Sequence, residues 1–323
     1  MGKVLFVSQN DLVRAENLKA VFDAYDGPKE FRRGQEAMYG AEAEGFSVVV
    51  CDALPRFIEA KERIISINIG HGITGDKLYG LDEGDKPWVD PVAFAQTDYA
   101  ISASNAGVPI VAGQFGIPEE RVLPLGMPRT DTYVGKRKGD GGTFLADYRR
   151  AYLYVPTFRY DDDGWLPSID WGLVDSMLDD DEVVVVKRHY FTPDSLIGPD
   201  REHVVEVAPW SPTIPYLVDC DVVLSDYSSI VFDGYILGKP SLLTVDDSKL
   251  YLSKRGTYFP YPDFYTSRSL RAEGHEEELV GLLREAARYG MTDVERRCAD
   301  TVADMCDGKA SERVCALIRS VMA

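Results

Sequence analysis

The chain has 323 residues, 45% of them hydrophobic and 27% charged, with a net charge of −18. That length supports two domains, each with its own core, and the composition is that of an ordinary globular protein. The acidity excludes general binding to DNA, RNA or an anionic membrane, and no apolar run reaches the roughly 18 residues of a bilayer span.

The first predicted element is a strand, "KVLFVS" (3–8). Its apolar run is too short for a secretory signal, so the protein is expected in the cytoplasm. "LVRAENLKAVFDAY" (12–25) has helical periodicity. The strand-like runs "SVVVCD" (47–52), "RIISIN" (63–68), "YAISAS" (99–104) and "RVLPLG" (121–126) follow, each ending in polar residues or glycine. Strand and helix in alternation predict a parallel sheet covered on both faces.

The glycine-rich, charged segment "GKRKGDGGTF" (135–144) reads as a domain junction. Beyond it the alternation restarts with "AYLYVPT" (151–157), "EVVVVKRH" (182–189), "HVVEVA" (203–208), "DVVLSD" (221–226) and "PSLLTV" (240–245). Amphipathic helix closes the chain. The expected fold is α/β, with two Rossmann-like domains facing a cleft. Residues 1–140 are expected to form the first Rossmann-like domain, 145–300 the second, and 301–323 a terminal helix packing back on the first. The odd number of cysteines (Cys51, Cys220, Cys298, Cys306, Cys315), with no CxxC pair, predicts idle or buried thiols rather than disulfides or zinc.

Ligands of such sheets bind beyond the carboxyl ends of the strands, so the residues there are the candidates. Two of the four histidines lie at strand ends. His71 stands between Gly70 and Gly72, where an imidazole can take a proton from a hydroxyl. His189 follows Lys187 and Arg188, a set suited to phosphate, and alternation sends Lys187 and His189 to one side. Thr157 and Arg159 end another strand with groups that also suit phosphate oxygens. The acids Asp161, Asp162 and Asp163 read as a solvated loop rather than a metal site. In "SDYSSIVFDGYILGKP" (225–240), Ser225 and Asp226 end a strand and a helix starts near Tyr227 or Ser228, running to Gly238. Its free N–H groups, with Ser228 and Ser229, favour an anion; plain capping is the simpler alternative. P-loop, GxGxxG, GxSxG and HExxH patterns are absent.

In order and spacing, "GHGITGDK", "GMPRTD", "YVPTFR", "VKRH" and "SDYSSIVFDGYILGKP" resemble the CDP-glycerol glycerophosphotransferase family, the teichoic acid primases and polymerases. The sequence departs from that pattern at Gly70, where the family carries Trp, at Tyr190, where it carries Pro, and within "GMPRTD". The resemblance implies a GT-B fold and a transferase moving polyol phosphate from a CDP-activated donor, CDP-glycerol or a similar CDP-polyol, to an acceptor hydroxyl with release of CMP. The acceptor would be a glycan, a lipid-linked saccharide or a polyol phosphate, and nucleic acid is not a partner. His71, His189 and Asp226 are the expected catalytic residues. Gly72, Thr157, Arg159, Lys187, Ser225, Ser228 and Ser229 are the expected substrate contacts, with Arg129 and Asp131 as bracing. Neither cofactor nor metal is expected, and peripheral association with the inner face of the membrane is compatible with the resemblance. Two other readings share these residues: a GT-B glycosyltransferase or epimerase using a UDP-sugar, and a non-catalytic glycan-binding module.

Overall fold

The computed structural model describes residues 2–34, 44–52, 64–70, 72–73, 96–159, 169–189, 192, 195–198, 201–254 and 256–322. The chain forms two compact units, Met1–Val134 with Thr301–Ala323, and Gly135–Asp300.

Unit 1 contains β1 (Lys3–Ser8), α1 (Glu16–Ala24), β2 (Lys29–Arg33), β3 (Phe46–Cys51), β4 (Ile65–Asn68), β5 (Tyr99–Ile101), α2 (Val108–Phe115) and β6 (Val122–Leu123). The six strands are parallel, in the order β2-β1-β3-β4-β5-β6. Val4, Leu5, Phe6, Val48, Val49 and Val50 are fully buried, as expected of central parallel strands covered on both faces. β2, "KEFRR", is an edge strand missed in sequence because charge masks its pattern. Lys3 and Arg32 pair with Glu30, and Arg32 also with Glu44, a charged edge that discourages further strand pairing.

Unit 2 contains β7 (Arg150–Val155), α3 (Trp171–Met177), β8 (Glu182–Val186), β9 (Val204–Glu206), α4 (Thr213–Asp219), β10 (Val222–Ser225), α5 (Ile230–Ile236), β11 (Ser241–Thr244), α6 (Ser248–Lys254), β12 (Ser269–Leu270), α7 (Glu276–Tyr289) and all but the last two residues of α8 (Asp293–Val302). Its sheet is again parallel, in the order β12-β11-β10-β7-β8-β9. Numbered within the unit this is 3-2-1-4-5-6, the dinucleotide-fold order, whose switch point lies between β7 and β10. In α7, Leu279, Val280, Leu283 and Ala286 form a buried stripe that joins Trp171 and Val174 of α3 in the core. Glu182 is fully buried at the start of β8 and accepts from Arg284, Arg150 and Tyr152. Burial pushes its carboxyl up, but these donors outweigh it and bring it down to about 2.

Two expected helices differ in extent. Residues 12–14 form a turn and α1 begins at Glu16; the helix after "SDYSS" begins at Ile230 and ends at Ile236. The terminal helical region is two helices, α8 and α9 (Ala310–Met322), and α9 packs on α1 and β3 within unit 1. Asp131 holds its start: the backbone N–H groups of Ala310 and Ser311 donate to its two oxygens at 3.0 and 2.7 Å. All five cysteines are free and buried.

Candidate functional site

At the switch point of unit 2, β7 and β10 lie in register with Val155 opposite Ser225. The chain beyond each strand supplies the expected site residues. Asp226 Oδ1 accepts from the backbone N–H of Thr157 at 2.8 Å and of Tyr227 at 2.6 Å. Its Oδ2 accepts from Arg159 Nη2 at 2.9 Å. Arg159 also donates from Nε to Asp247 Oδ2 at 2.8 Å, from Nη2 to Asp247 Oδ1 at 3.1 Å, and from Nη1 to the Thr157 carbonyl at 2.5 Å. The Tyr227 hydroxyl donates to Asp247 at 2.8 Å, and the Arg159 guanidinium lies over the Tyr227 and Tyr251 rings, which stack on each other. Burial works against the Arg159 charge, but Asp226 and Asp247 more than offset it, and its pKa is raised.

Three of the expected site residues, Arg159, Asp226 and Ser225, make internal bonds here. The Arg159 and Asp226 side chains are 6% and 1% exposed and committed to each other. Both side chains are engaged inside the cluster, Arg159 with two carboxylates and Asp226 with the guanidinium and two backbone N–H groups. Together with Asp247 they tie the ends of β7, β10 and β11, because a buried charge is stable only when paired and hydrogen-bonded. Ser225 is fully buried and its hydroxyl donates to the Val155 carbonyl at 2.6 Å, so it too is a structural tie.

What stays available lies beside the cluster. Thr157 is 7% exposed, and its Oγ1 is buried without a hydrogen-bond partner among the described residues. An unpaired buried hydroxyl costs about 1–3 kcal/mol, which a ligand oxygen would recover. Ser228 and Ser229 are half-buried. Ser228 Oγ accepts weakly from the Ile230 N–H at 3.4 Å, while Ser229 makes no side-chain capping bond. α5 has seven residues, so its dipole adds less than the expected longer helix. His189 is half-buried and its ring stacks on Phe158, with centroids 4.4 Å apart and planes at 28°. Lys187 is 6% exposed and donates to the Pro209 carbonyl at 3.1 Å. Arg188 pairs with Glu206 of the neighbouring strand β9.

In unit 1, His71 lies outside the described residues; in unit 2, so do Asp161, Asp162 and Asp163. The neighbours of His71 are defined. Gly70 has φ +59°, a left-handed conformation that favours glycine, and Gly72 is half-buried. The Gly70 N–H donates to Asn68 Oδ1 at 2.9 Å and its carbonyl accepts from Asn17 Nδ2 at 3.1 Å. Asn17 also accepts from the Arg129 N–H at 2.9 Å, which binds the "GMPR" turn to the same place. Nearby in the sheet, Ser8 and Asp52 follow one another across β1 and β3 and share a 3.0 Å hydrogen bond. Sequence reasoning missed Asp247, Asn17 and the Ser8–Asp52 pair. Asp52 and Asn68 end predicted strands, which is a signal; Asn17 carries none.

A family model described as CDP-glycerol:poly(glycerophosphate) glycerophosphotransferase matches residues 26–320. The teichoic acid ribitol-phosphate primase of Bacillus spizizenii strain W23 is 26% identical over 288 residues, covering 82% of this chain and 72% of the primase. The teichoic acid glycerol-phosphate primase of Bacillus subtilis strain 168 is 26% identical over 235 residues, 71% of this chain and 59% of that relative. Among solved structures, the wall teichoic acid polymerase TagF superposes with a TM-score of 0.76 at 21% identity over 98% of this chain and 88% of that one, a likeness of fold. With two Rossmann-like units and the family pattern matched across nearly its whole length, the chain belongs to the CDP-glycerol:poly(glycerophosphate) glycerophosphotransferase family.

Proposed function

We propose that the protein transfers a polyol phosphate, glycerol phosphate in the first instance, from a CDP-activated donor to an acceptor hydroxyl in the synthesis of teichoic acid or a related surface polymer. Family membership supports the donor class. The observation that supports the donor's location is the buried Thr157 hydroxyl at the switch point of unit 2, unpartnered among the described residues, with His189 stacked on the adjoining Phe158 and with Ser228 and Ser229 following Asp226 at the end of β10. In this reading those four groups contact the diphosphate, and the Arg159–Asp226–Asp247 cluster keeps their loops in place.

The acceptor oxygen attacks the distal phosphorus of the donor. A new P–O bond forms, the bond to the CMP oxygen breaks, and CMP leaves. His71 takes the acceptor proton, with Gly72 leaving room beside it. Phosphoryl transfer depends chiefly on positioning and on charge placed around the transferring oxygens, which is the task assigned to unit 2. A lipid-linked acceptor would bring the protein to the inner face of the membrane. Among the described residues no helix is long and apolar enough to cross one.

The test offers CDP-glycerol, CDP-ribitol and a UDP-sugar with a polyol-phosphate acceptor and identifies the nucleotide released. CMP supports the proposal; UDP, or no nucleotide from either CDP-polyol, ends it. His71→Ala is expected to lower kcat by about 10²–10⁴-fold, the usual contribution of a general base, with CDP-glycerol affinity by calorimetry unchanged. Weakened donor binding with normal turnover at saturation would contradict the base role.

A further inference from the structure

We propose that Asn17 is a positioning residue for the transfer reaction: with Asn68 it holds both hydrogen-bonding groups of Gly70 and so fixes the turn from which the chain passes to residue 71. The inference rests on the proposed role of His71 as the base. Asn17 is 2% exposed on α1, on the side of the helix that buries Leu18 and Val21. A buried amide must find partners for both ends. Asn17 does so outside its own helix, donating from Nδ2 to the Gly70 carbonyl and accepting at Oδ1 from the Arg129 N–H. Asn68, also 2% exposed, accepts the Gly70 N–H.

Gly70 gives the arrangement its purpose. A Cβ there would meet only Met127 Cε, at 3.9 Å, so space does not demand glycine; the φ of +59° does. Glycine visits positive and negative φ about equally readily and cannot hold this turn unaided. Two side-chain amides select one conformation from outside. The Asn17 amide has one productive orientation, because its donor faces a carbonyl and its acceptor faces an N–H. The same bond to Arg129 couples this turn to the Pro128–Thr132 segment, which gives the "GMPR" motif a physical role. A base must lie within hydrogen-bond reach of the proton it removes, and misplacement by 1 Å can cost about 10²-fold in rate.

Asn17→Asp tests the donor. The carboxylate still accepts from Arg129, loses the bond to Gly70 and sets an oxygen against its carbonyl. Expected are a kcat for CMP release lower by about 10–10²-fold, an unchanged KM for CDP-glycerol, and faster amide deuterium exchange across residues 66–73. Asn68→Leu should give the same exchange signature. Unchanged kcat, or unchanged exchange in both variants, overturns the proposal. So does a fall in kcat that is matched by a rise in donor KM and a collapse of melting temperature, since that marks general destabilisation. If the wild-type protein releases no CMP, the functional reading fails by itself, while the exchange measurement still decides whether the two asparagines hold the turn.

Discussion

Asp52 directly follows β3 and is 6% exposed, with the Ser8 hydroxyl donating to it. Burial raises its carboxyl pKa to about 6, and the bonds from Ser8 and its own backbone N–H offset only part of that. The folded state therefore binds the proton more tightly than the unfolded chain. Its contribution to stability is complete below about pH 4, the ordinary Asp value, and is lost as pH rises through about 6. The whole difference corresponds to about 3 kcal/mol. Asp52→Asn, which keeps the shape without the charge, should gain stability relative to wild type between pH 4 and 7, read by urea unfolding at both ends. A constant difference would mean that Asp52 is ionised throughout. Individual site residues were only partly legible in sequence. Thr157 and His189 were read as strand-end groups, and that is where they stand. The ion pairs of Arg159 were not legible, because its partners, Asp226 and Asp247, lie 67 and 88 positions away and no local pattern reveals them.

At the scale of elements, α9 depends on a carboxylate far from it in sequence. Asp131 receives two N–H groups from the first turn of a helix 179 positions later and also complements its dipole. Asp131→Ala should cost about 1–2 kcal/mol, the range for a lost cap. Amide exchange should rise first over residues 310–322; uniform loss of protection across both units would argue against a local capping role. Elements were legible where apolar runs are continuous. "KVLFVS" and β1 coincide, and β3, β8 and β10 lie within a residue of, or inside, their predicted runs. They were not legible where tertiary packing decides. β2 is written in charges, β12 has two residues, and α5 starts late because Asp226 and Tyr227 are drawn into the buried cluster.

At the scale of the molecule, a net charge of −18 opposes compaction by self-repulsion. Raising salt from low ionic strength to ~0.15 M, where the Debye length is ~8 Å, should raise the melting temperature. A fall would mean that attractive pairs such as Arg284–Glu182 and Arg268–Glu295 outweigh the net field. The paired parallel sheets were legible because alternation of strand and helix is a whole-chain pattern that survives errors at single boundaries. The exact strand orders were not, since sequence does not say which strand lies beside which.

Residues Thr301–Ala323 belong with the first unit, while everything from Gly135 to Asp300 belongs to the other. A ribosome makes the chain from the amino end, and domains generally fold as they emerge. The second unit can therefore reach its native form while the first, begun earlier, still waits for α9. Premature termination near residue 300 would spare the portion made last before the break and leave the portion made first without its final helix.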